Sequence, residues 1–373
     1  MSTRRLRVGV IGCGGISQMM HLPHLRELSD RFEVTALSDL NDVTLQAVGD
    51  FYSIGARFAN YRDLLSTDVD AVMILTGGSH ALMAIDAARA GKHIFVEKPI
   101  CYALSEADKI GQAVDAAGVT LMVGYMKRYD PAYRYAARTL QTIREPSYAR
   151  VTVLHPASEL YFQHHVFHPA VPPGPVETSD TGRRLIAFFG ADRSSELVDE
   201  MIGANAPTPQ RVALGLMLGS LCHDVNALRG LLGEPETVSH TEIWNEGLAF
   251  SSTLRYGNGS RASLTWVYLP ELRDYEEEIA IFAADARLRI MFPSPFLRNY
   301  ATEVFVQGGE QLPDRNESAA WVKRVTVSYH EAFKEELIHF HECVVNRKTP
   351  LTSLADSRAD LALIQSMARA WRP

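Results

Sequence analysis

Cysteine is scarce in this chain, and the few cysteines are far apart. Only four occur among 373 residues, and no two have the spacing of a metal site or a redox pair. We therefore expect reduced thiols and a cytoplasmic protein. Long apolar runs are missing as well, because Gly, Ser or charged residues interrupt each one before the ~20 residues that a membrane helix needs. The sequence predicts no membrane segment.

An excess of positive charge is also missing. Lys and Arg total 37 against 44 Asp and Glu, which gives a net charge of −7 at pH 7. A net acidic chain without a basic run lacks the electrostatic attraction that nucleic acids require, so we expect no nucleic-acid partner. Apolar residues make up 46% of the chain, enough for a sizeable core. At about 150 residues per domain, the length predicts two domains.

Short apolar runs alternate with helical patterns from residue 7 to about residue 125. The predicted strands are 7–11, 34–38, 71–75, 93–96 and 120–123, and the predicted helices are about 16–28, 43–52, 80–90 and 105–117. Since parallel strands need crossover helices, this alternation predicts an α/β domain with a doubly wound parallel sheet. We place this Rossmann-type domain at residues 1–128.

The pattern changes after Pro131, where strands follow one another without helices between them. Strands are predicted at 149–154, 236–244, 251–256, 261–267, 277–282, 287–292 and 303–307, with helices at about 329–345 and 355–371. This order predicts a C-terminal α+β domain, residues 129–373, with a mostly antiparallel sheet and closing helices that pack back. Residues 155–211 hold seven of the 18 prolines, which favours a lid, an arm to another subunit or partial disorder.

A glycine-rich loop joins the first predicted strand to the first helix. Gly12-Cys-Gly14-Gly15-Ile16-Ser17 fits G-x-G-x-x-G/A with Ser17 in the third small position. Gly12 permits the tight turn, Gly14 lets the backbone approach a pyrophosphate, and the helix N-terminus supplies donors. Asp39, at the end of the second strand, would accept hydrogen bonds from ribose hydroxyls. We expect NAD rather than NADP, because Asp39 would repel a 2′-phosphate and Leu40 could not pair with one.

A cation follows the strand predicted at 93–96. The sequence Glu97-Lys98-Pro99 places Lys98 at the carboxyl edge of the sheet, where open α/β sheets bind ligands. Pro99 keeps the Lys98 backbone out of the helical region. A lysine beside a nicotinamide ring could exchange a proton with a substrate hydroxyl, whereas a strand-end lysine alone is usually just solvated.

These motifs carry a family resemblance. Together with Thr76, Gly77, His80 and the stretch Gly124-Tyr-Met-Lys-Arg-Tyr-Asp-Pro131, they resemble the glucose–fructose oxidoreductase/inositol dehydrogenase (Gfo/Idh/MocA) family. The resemblance covers nearly the whole chain. It implies an NAD(P)-binding Rossmann domain followed by an open-faced β-sheet domain, whose exposed face commonly serves as the subunit interface. It also implies hydride transfer between nicotinamide and a carbinol carbon, with Lys98 catalytic and with Thr76, Gly77, His80 and Glu97 beside the cofactor.

The helix predicted around residues 215–232 carries a second candidate. Small residues flank His223 and Asn226 on a face separate from the apolar one, which suggests close approach to a ligand. A lone helical histidine is more often structural, but the resemblance implies that His223 is catalytic. The family has an aspartate four residues earlier, and this chain has Gly219 there. That departure puts the standard lysine–aspartate–histidine mechanism in doubt.

Polar residues after the last strand of the first domain are candidates for substrate contact. Tyr125, Lys127 and Arg128 should border the cleft and, with Asn226, bind a hydroxylated substrate, with ordinary surface exposure as the alternative. His155, His164, His165 and His168 could suggest zinc, but nearby carboxylates are few and no helical register joins them. We therefore expect no metal, and place these histidines near the cleft mouth.

The combined prediction is an NAD-dependent oxidoreductase acting on a sugar, sugar derivative or cyclitol, with a small polyhydroxylated molecule as substrate. A redox-neutral enzyme that retains NAD, by elimination or glycoside cleavage, is an alternative. A non-catalytic NAD-binding sensor or regulator is another, and Gly219 favours it. Because alternating residues on both sides of strand 261–267 are apolar, the sheet needs a cover. We therefore expect a homodimer or homotetramer.

Overall fold

A computed structural model describes residues 4–157, 159–169, 195–312 and 317–372. The chain divides into two compact units. Among the described residues, the first unit comprises 4–126, 162–169 and 333–361, and the second comprises 127–157, 159–161, 195–312, 317–332 and 362–372. The second unit thus begins close to the predicted boundary, and the chain later returns to the first.

The first unit is built on a parallel sheet of six strands in the order β3-β2-β1-β4-β5-β6. Its strands are β1 (Leu6–Ile11), β2 (Phe32–Ser38), β3 (Ala56–Phe58), β4 (Ala71–Ile74), β5 (His93–Glu97) and β6 (Leu121–Gly124). Its helices in this part of the chain are α1 (Leu22–Glu27), which a π turn (Ser17–His21) precedes, α2 (Asp42–Tyr52), α3 (Tyr61–Leu65), α4 (Ala81–Arg89) and α5 (Leu104–Ala117). The predicted doubly wound sheet is confirmed.

Local chemistry explains several of these boundaries. The Asn41 side chain accepts a hydrogen bond from the Thr44 amide and so caps the start of α2. Gly91 and Gly118, with φ of 69° and 64°, follow α4 and α5 in the left-handed conformation that glycine adopts without strain. β4 is buried throughout, which explains why it reads as a continuous apolar run.

The second unit contains a sheet of eight strands in the order β14-β13-β12-β11-β7-β10-β9-β8. Its strands are β7 (Tyr148–His155), β8 (Thr237–Trp244), β9 (Ala249–Arg255), β10 (Arg261–Tyr268), β11 (Glu276–Phe282), β12 (Ala286–Phe292), β13 (Glu303–Gln311) and β14 (Ser318–Thr326). All neighbours pair antiparallel except β7 and β10, which run parallel. The predicted mostly antiparallel sheet is confirmed.

Further helices lie between and after these strands. They are α6 (Pro131–Leu140), α7 (Glu159–Phe162), α8 (Ser195–Ile202), α9 (Thr208–Leu216), α10 (Cys222–Leu232), α11 (Ala332–Asn346) and α12 (Leu354–Ala370). A π turn, Met217–Leu221, separates α9 from α10. Nearly all of α11 and the first part of α12 belong to the first unit. None of the described helices is long and apolar enough to cross a membrane.

Candidate active site

The glycine-rich loop has the backbone that its sequence predicts. Gly12 directly follows β1 and has a φ of 97°, and a Cβ atom there would lie 2.9 Å from backbone atoms of Leu75 and Thr76. A Cβ at Gly14 would meet nothing within 4 Å. Ser17 is fully buried, and its hydroxyl has no hydrogen-bond partner among the described residues. Open space at Gly14 and an unsatisfied donor at Ser17 fit a dinucleotide phosphate at this loop.

Asp39 is held against this loop. Its Oδ2 accepts a hydrogen bond from the Cys13 amide at 2.7 Å, and its Oδ1 accepts one from the Asn41 amide at 2.8 Å. A carboxylate oxygen has two lone pairs, so each atom can still accept a hydrogen bond from a ribose hydroxyl. Leu40 is 95% exposed and offers no cation beside this carboxylate.

The predicted cofactor residues after β4 are tied to the chain after β5. His80 is buried, and its ring nitrogens lie 2.7 Å from the Thr76 carbonyl and 2.8 Å from the Pro99 carbonyl. Burial lowers the pKa of His80, although the two carbonyls oppose that shift. Gly77 leaves open space where a Cβ would stand. His80 therefore joins two loops, and its direct contact with a cofactor stays a prediction.

Lys98 stands at the end of β5, beside a buried polar pair. Glu97 accepts a hydrogen bond from the His21 ring at 2.8 Å and another from the Lys98 amide at 3.1 Å. Burial opposes ionisation, but the His21 hydrogen bond and nearby positive charge hold the pKa of Glu97 below its ordinary value. Glu97 thus positions the Lys98 backbone.

These features share one edge of the sheet. β2, β1, β4 and β5 are neighbours, all parallel, so their carboxyl ends meet at the same edge. Asp39, Gly12, Thr76 and Lys98 follow those ends directly or within two residues. Open α/β sheets bind ligands in this position. The first unit therefore presents a glycine loop, a carboxylate and a cation at one edge.

The second unit carries the predicted histidine on a distorted helix. The π turn Met217–Leu221 contains Gly219, which is exposed and has open space where a Cβ would be. Ser220 accepts a hydrogen bond from the Trp266 indole at 3.0 Å. His223 is half-buried in the first turn of α10. π turns occur often at functional sites because they turn side chains away from the regular helical face.

The structure brings together two of the predicted substrate residues. Arg128 Nη1 lies 3.3 Å from both the carbonyl and the side-chain oxygen of Asn226, which is fully buried. A Cβ at Gly230 would collide with Arg128 and with the Tyr133 hydroxyl. The small residues on this helical face therefore admit the segment after β6. Tyr125 is buried in the first unit. Substrate contact by these residues stays a prediction.

Lys127, one of the predicted substrate residues, lies in a buried ionic cluster of the second unit, and the sequence analysis missed that cluster. Lys127 Nζ donates a 2.8 Å hydrogen bond to Asp224 and another to Glu277, and all three side chains are buried. Burial and the Glu277 charge raise the pKa of Asp224 to about 8, although Lys127 opposes this. Asp224 interrupts an apolar face between Leu221 and Val225, and that is the signal that could have revealed it.

The predicted histidine group is divided between the two units. His155, at the end of β7, makes ring contacts with Trp266 and Tyr275 in the second unit. His164, His165 and His168 belong to the first unit, where His168 stacks on Phe51 at 3.8 Å. Residues 158 and 170–194, which make up nearly half of the proline-rich segment, lie outside the described residues, so the lid and the arm stay predictions.

Comparison with known proteins gives the family. A family model described as an oxidoreductase family with an NAD-binding Rossmann fold matches residues 6–125. The uncharacterized oxidoreductase YrbE of Bacillus subtilis (strain 168) is 32% identical over 98% of this chain and 95% of its own length. The chain belongs to the Gfo/Idh/MocA oxidoreductase family. It is an NAD(P)-dependent oxidoreductase, as the resemblance of its motifs implied.

Two further proteins that resemble this chain differ in what their names say they act on. The scyllo-inositol 2-dehydrogenase (NAD(+)) of Bacillus subtilis (strain 168) is 27% identical over 81% of this chain and 75% of its own length. The 3-ketoreductase KijD10 of Actinomadura kijaniata, solved with TDP-benzene and NADP, superposes with a TM-score of 0.71 at 20% identity and covers 99% of this chain and 98% of its own. At that identity the likeness shows the fold alone.

Proposed function

We propose that this protein transfers a hydride between NAD and a carbinol carbon of a sugar, sugar derivative or cyclitol. The observation that carries the proposal is the position of Lys98 at the same sheet edge as Gly12 and Asp39, with its backbone held by Glu97. The inositol dehydrogenases among its relatives support the substrate class. NAD, when bound, supplies the carbon that accepts or donates the hydride.

The residues of this chain would bind the cofactor and handle the proton of the reacting hydroxyl. The Gly12 turn and the exposed amides of the loop would hold the pyrophosphate, and Asp39 would accept from the ribose hydroxyls. Lys98 would exchange the proton of the reacting hydroxyl, so that charge does not accumulate on that oxygen. His223 stays the predicted second proton-handling residue, and its partner aspartate is replaced by Gly219.

The Asp39 environment favours NAD over NADP. A 2′-phosphate would add negative charge beside a carboxylate that the backbone fixes in place, and Leu40 cannot compensate it. KijD10 was solved with NADP. Its likeness to this chain concerns the fold alone, so it does not bear on the cofactor preference of this chain.

A turnover assay with a panel of polyols and sugars tests the function. We expect reduced nicotinamide to accumulate with at least one of them, and Lys98→Ala to lower kcat by about 10²- to 10⁴-fold while NAD binds as before. Lys92→Ala, at the preceding lysine in the sequence, is the matched control, because Lys92 donates to the carbonyls of Thr67 and Val69. Substrate conversion without accumulation of reduced nicotinamide would show internal recycling, and near-normal turnover in Lys98→Ala would remove Lys98 as the proton carrier.

A further inference from the structure

Three polar side chains meet inside the first unit, each from a different element. His21 comes from the π turn before α1, Glu97 from β5 and Glu336 from α11. His21 and Glu336 are fully buried and Glu97 is nearly so, and each offers an atom within 4.8 Å of the others. The rings of Phe95 and Phe333 stand edge-on to His21 at 5.3 and 5.6 Å. The cluster is therefore enclosed by apolar side chains.

The hydrogen bonds within the cluster are unevenly shared. Glu97 has a donor on each oxygen, from His21 Nε2 and from the Lys98 amide. Neither carboxyl oxygen of Glu336 has a hydrogen-bond partner among the described residues, and neither has His21 Nδ1. A buried ionised carboxylate without a donor is strongly unfavourable.

This distribution decides where the charge lies. Two buried carboxyl groups this close cannot both be ionised at neutral pH. Glu97 has two donors and the nearby Lys98, so it holds the negative charge. Glu336 has none of these, so it takes the proton. Burial first, and then the charge of Glu97, raise the pKa of Glu336 well above its ordinary value.

We propose that Glu336 is a neutral acid whose O–H is donated to Nδ1 of His21, directly after a small rotation or through one bridging water. That donation satisfies Nδ1 of His21, while Nε2 carries the hydrogen and donates it to Glu97. Glu97 is thereby held beneath the Lys98 amide. Glu336 is thus a positioning residue for Lys98, and this part of the inference rests on the proposed function. A divalent metal on the same three side chains would have to break the His21–Glu97 hydrogen bond, so the geometry favours the proton.

Unfolding measured against pH tests the neutral acid without any substrate. Because the pKa of Glu336 is raised on folding, its contribution to stability is present at low pH and lost as pH rises through the folded pKa. Glu336→Gln is isosteric and cannot ionise, so we expect this alkaline loss to disappear. Glu335→Gln, on the neighbouring half-buried residue, should keep it. The other groups facing Glu336, which are Glu97 and His21 with Lys98 beyond them, are unchanged in both variants.

Nitrogen-15 spectra of histidine and steady-state kinetics test the relay. Since Glu97 accepts from Nε2, we expect the hydrogen to stay on Nε2 in all variants, whereas the Nδ1 signal should report a hydrogen-bonded acceptor in the wild type and in Glu336→Gln, and lose that character in Glu336→Leu. Glu336→Leu should lower kcat about 10- to 100-fold with unchanged NAD affinity, and Glu336→Gln should restore most of it.

Three results would overturn the inference. One is an alkaline loss of stability in Glu336→Gln equal to that of the wild type. Another is a stoichiometric divalent metal in the purified protein that Glu336→Gln removes. The third is a His21 Nδ1 signal unaffected by Glu336→Leu. None of these depends on turnover, so a failed substrate screen would contradict the proposed function and leave this inference standing.

Discussion

Asp39 shows how much of the cofactor preference depends on two adjacent side chains. Its carboxylate accepts hydrogen bonds from the Cys13 and Asn41 amides, so it cannot swing away from an approaching phosphate without losing both. Leu40 is almost fully exposed. Charge repulsion and the missing cation act in the same direction, which is why the NAD proposal can be tested at these two positions.

Titration with NADH and NADPH checks this at the residue scale. We expect the wild type to bind NADH at least about tenfold more tightly, equivalent to about 1.4 kcal/mol. The double change Asp39→Asn with Leu40→Arg removes the repulsion and adds a cation, so it should reverse or abolish the preference. Asp42→Asn removes a carboxylate three residues further along, in the first turn of α2, and should leave the preference intact. Tighter NADPH binding by the wild type would contradict the proposal.

At the scale of elements, a π turn changes what a helical pattern means. Spacings of three and four residues predicted one regular helix over residues 215–232, but the π turn Met217–Leu221 divides it. The extra residue in a π turn rotates everything after it relative to what precedes it. Gly219 therefore lies within the widened turn, while His223 lies in the regular helix that follows.

The Lys127 cluster joins three elements of the second unit through charge. Lys127 comes from the turn before α6, Asp224 from α10 and Glu277 from β11. Burial lowers the pKa of Lys127, but the two carboxyl groups outweigh it and raise that pKa. Removing the cation would leave two carboxyl groups buried without a counter-charge.

Denaturation of Lys127→Met checks the strength of this cluster. We expect a loss of about 3–5 kcal/mol in the free energy of unfolding at pH 7, because the remaining groups must be buried unpaired or take up a proton. Arg358→Met, which breaks an exposed ion pair with Asp108, should change stability little. A similarly small effect for Lys127→Met would show that the cluster is solvated in solution.

Asp224 makes part of the free energy of unfolding depend on pH. Its pKa of about 8 is far above the ordinary value, so its contribution to stability is lost as pH rises toward and through 8. Asp224→Asn cannot ionise, and this part of the decline should be missing from its unfolding curve.

At the scale of the whole molecule, the eight-stranded sheet offers a face for contact between subunits. One face of β10 carries Ala262, Leu264, Trp266 and Tyr268, all buried, whereas Ser263, Thr265 and Val267 on the other face are half-buried. Ser251 and Thr265 bond to each other across strands on that second face. A half-buried face with small and apolar side chains suits a self-complementary contact.

Light scattering at micromolar concentration measures the oligomeric state directly. We propose a homodimer or homotetramer, with the second face of the large sheet at the interface. Thr265→Lys would place a charge in that contact, so it should shift the protein toward the monomer without lowering monomer stability. A wild-type monomer would exclude the assembly.

Local features of the sequence determined the first unit and much of its candidate site. Strand and helix alternation, the glycine loop, Asp39 and the helix ends at Gly91 and Gly118 all follow from chemistry within a few residues. The same local reading found most strands of the second unit. It missed β3 of the first unit, which is three half-buried residues, and β14 of the second unit, an exposed edge strand whose pairing with β13 defines it.

Only the tertiary structure decided which buried polar groups meet. His21, Glu97 and Glu336, like Lys127, Asp224 and Glu277, are far apart in the chain, and a sequence pattern shows only an acidic residue within an apolar face. Glu336, for example, lies among Phe333, Leu337 and Phe340 at helical spacing. Whether such a carboxyl group is ionised depends on the donors that other elements bring to it. Those donors are set by packing between distant segments, which local propensity does not encode.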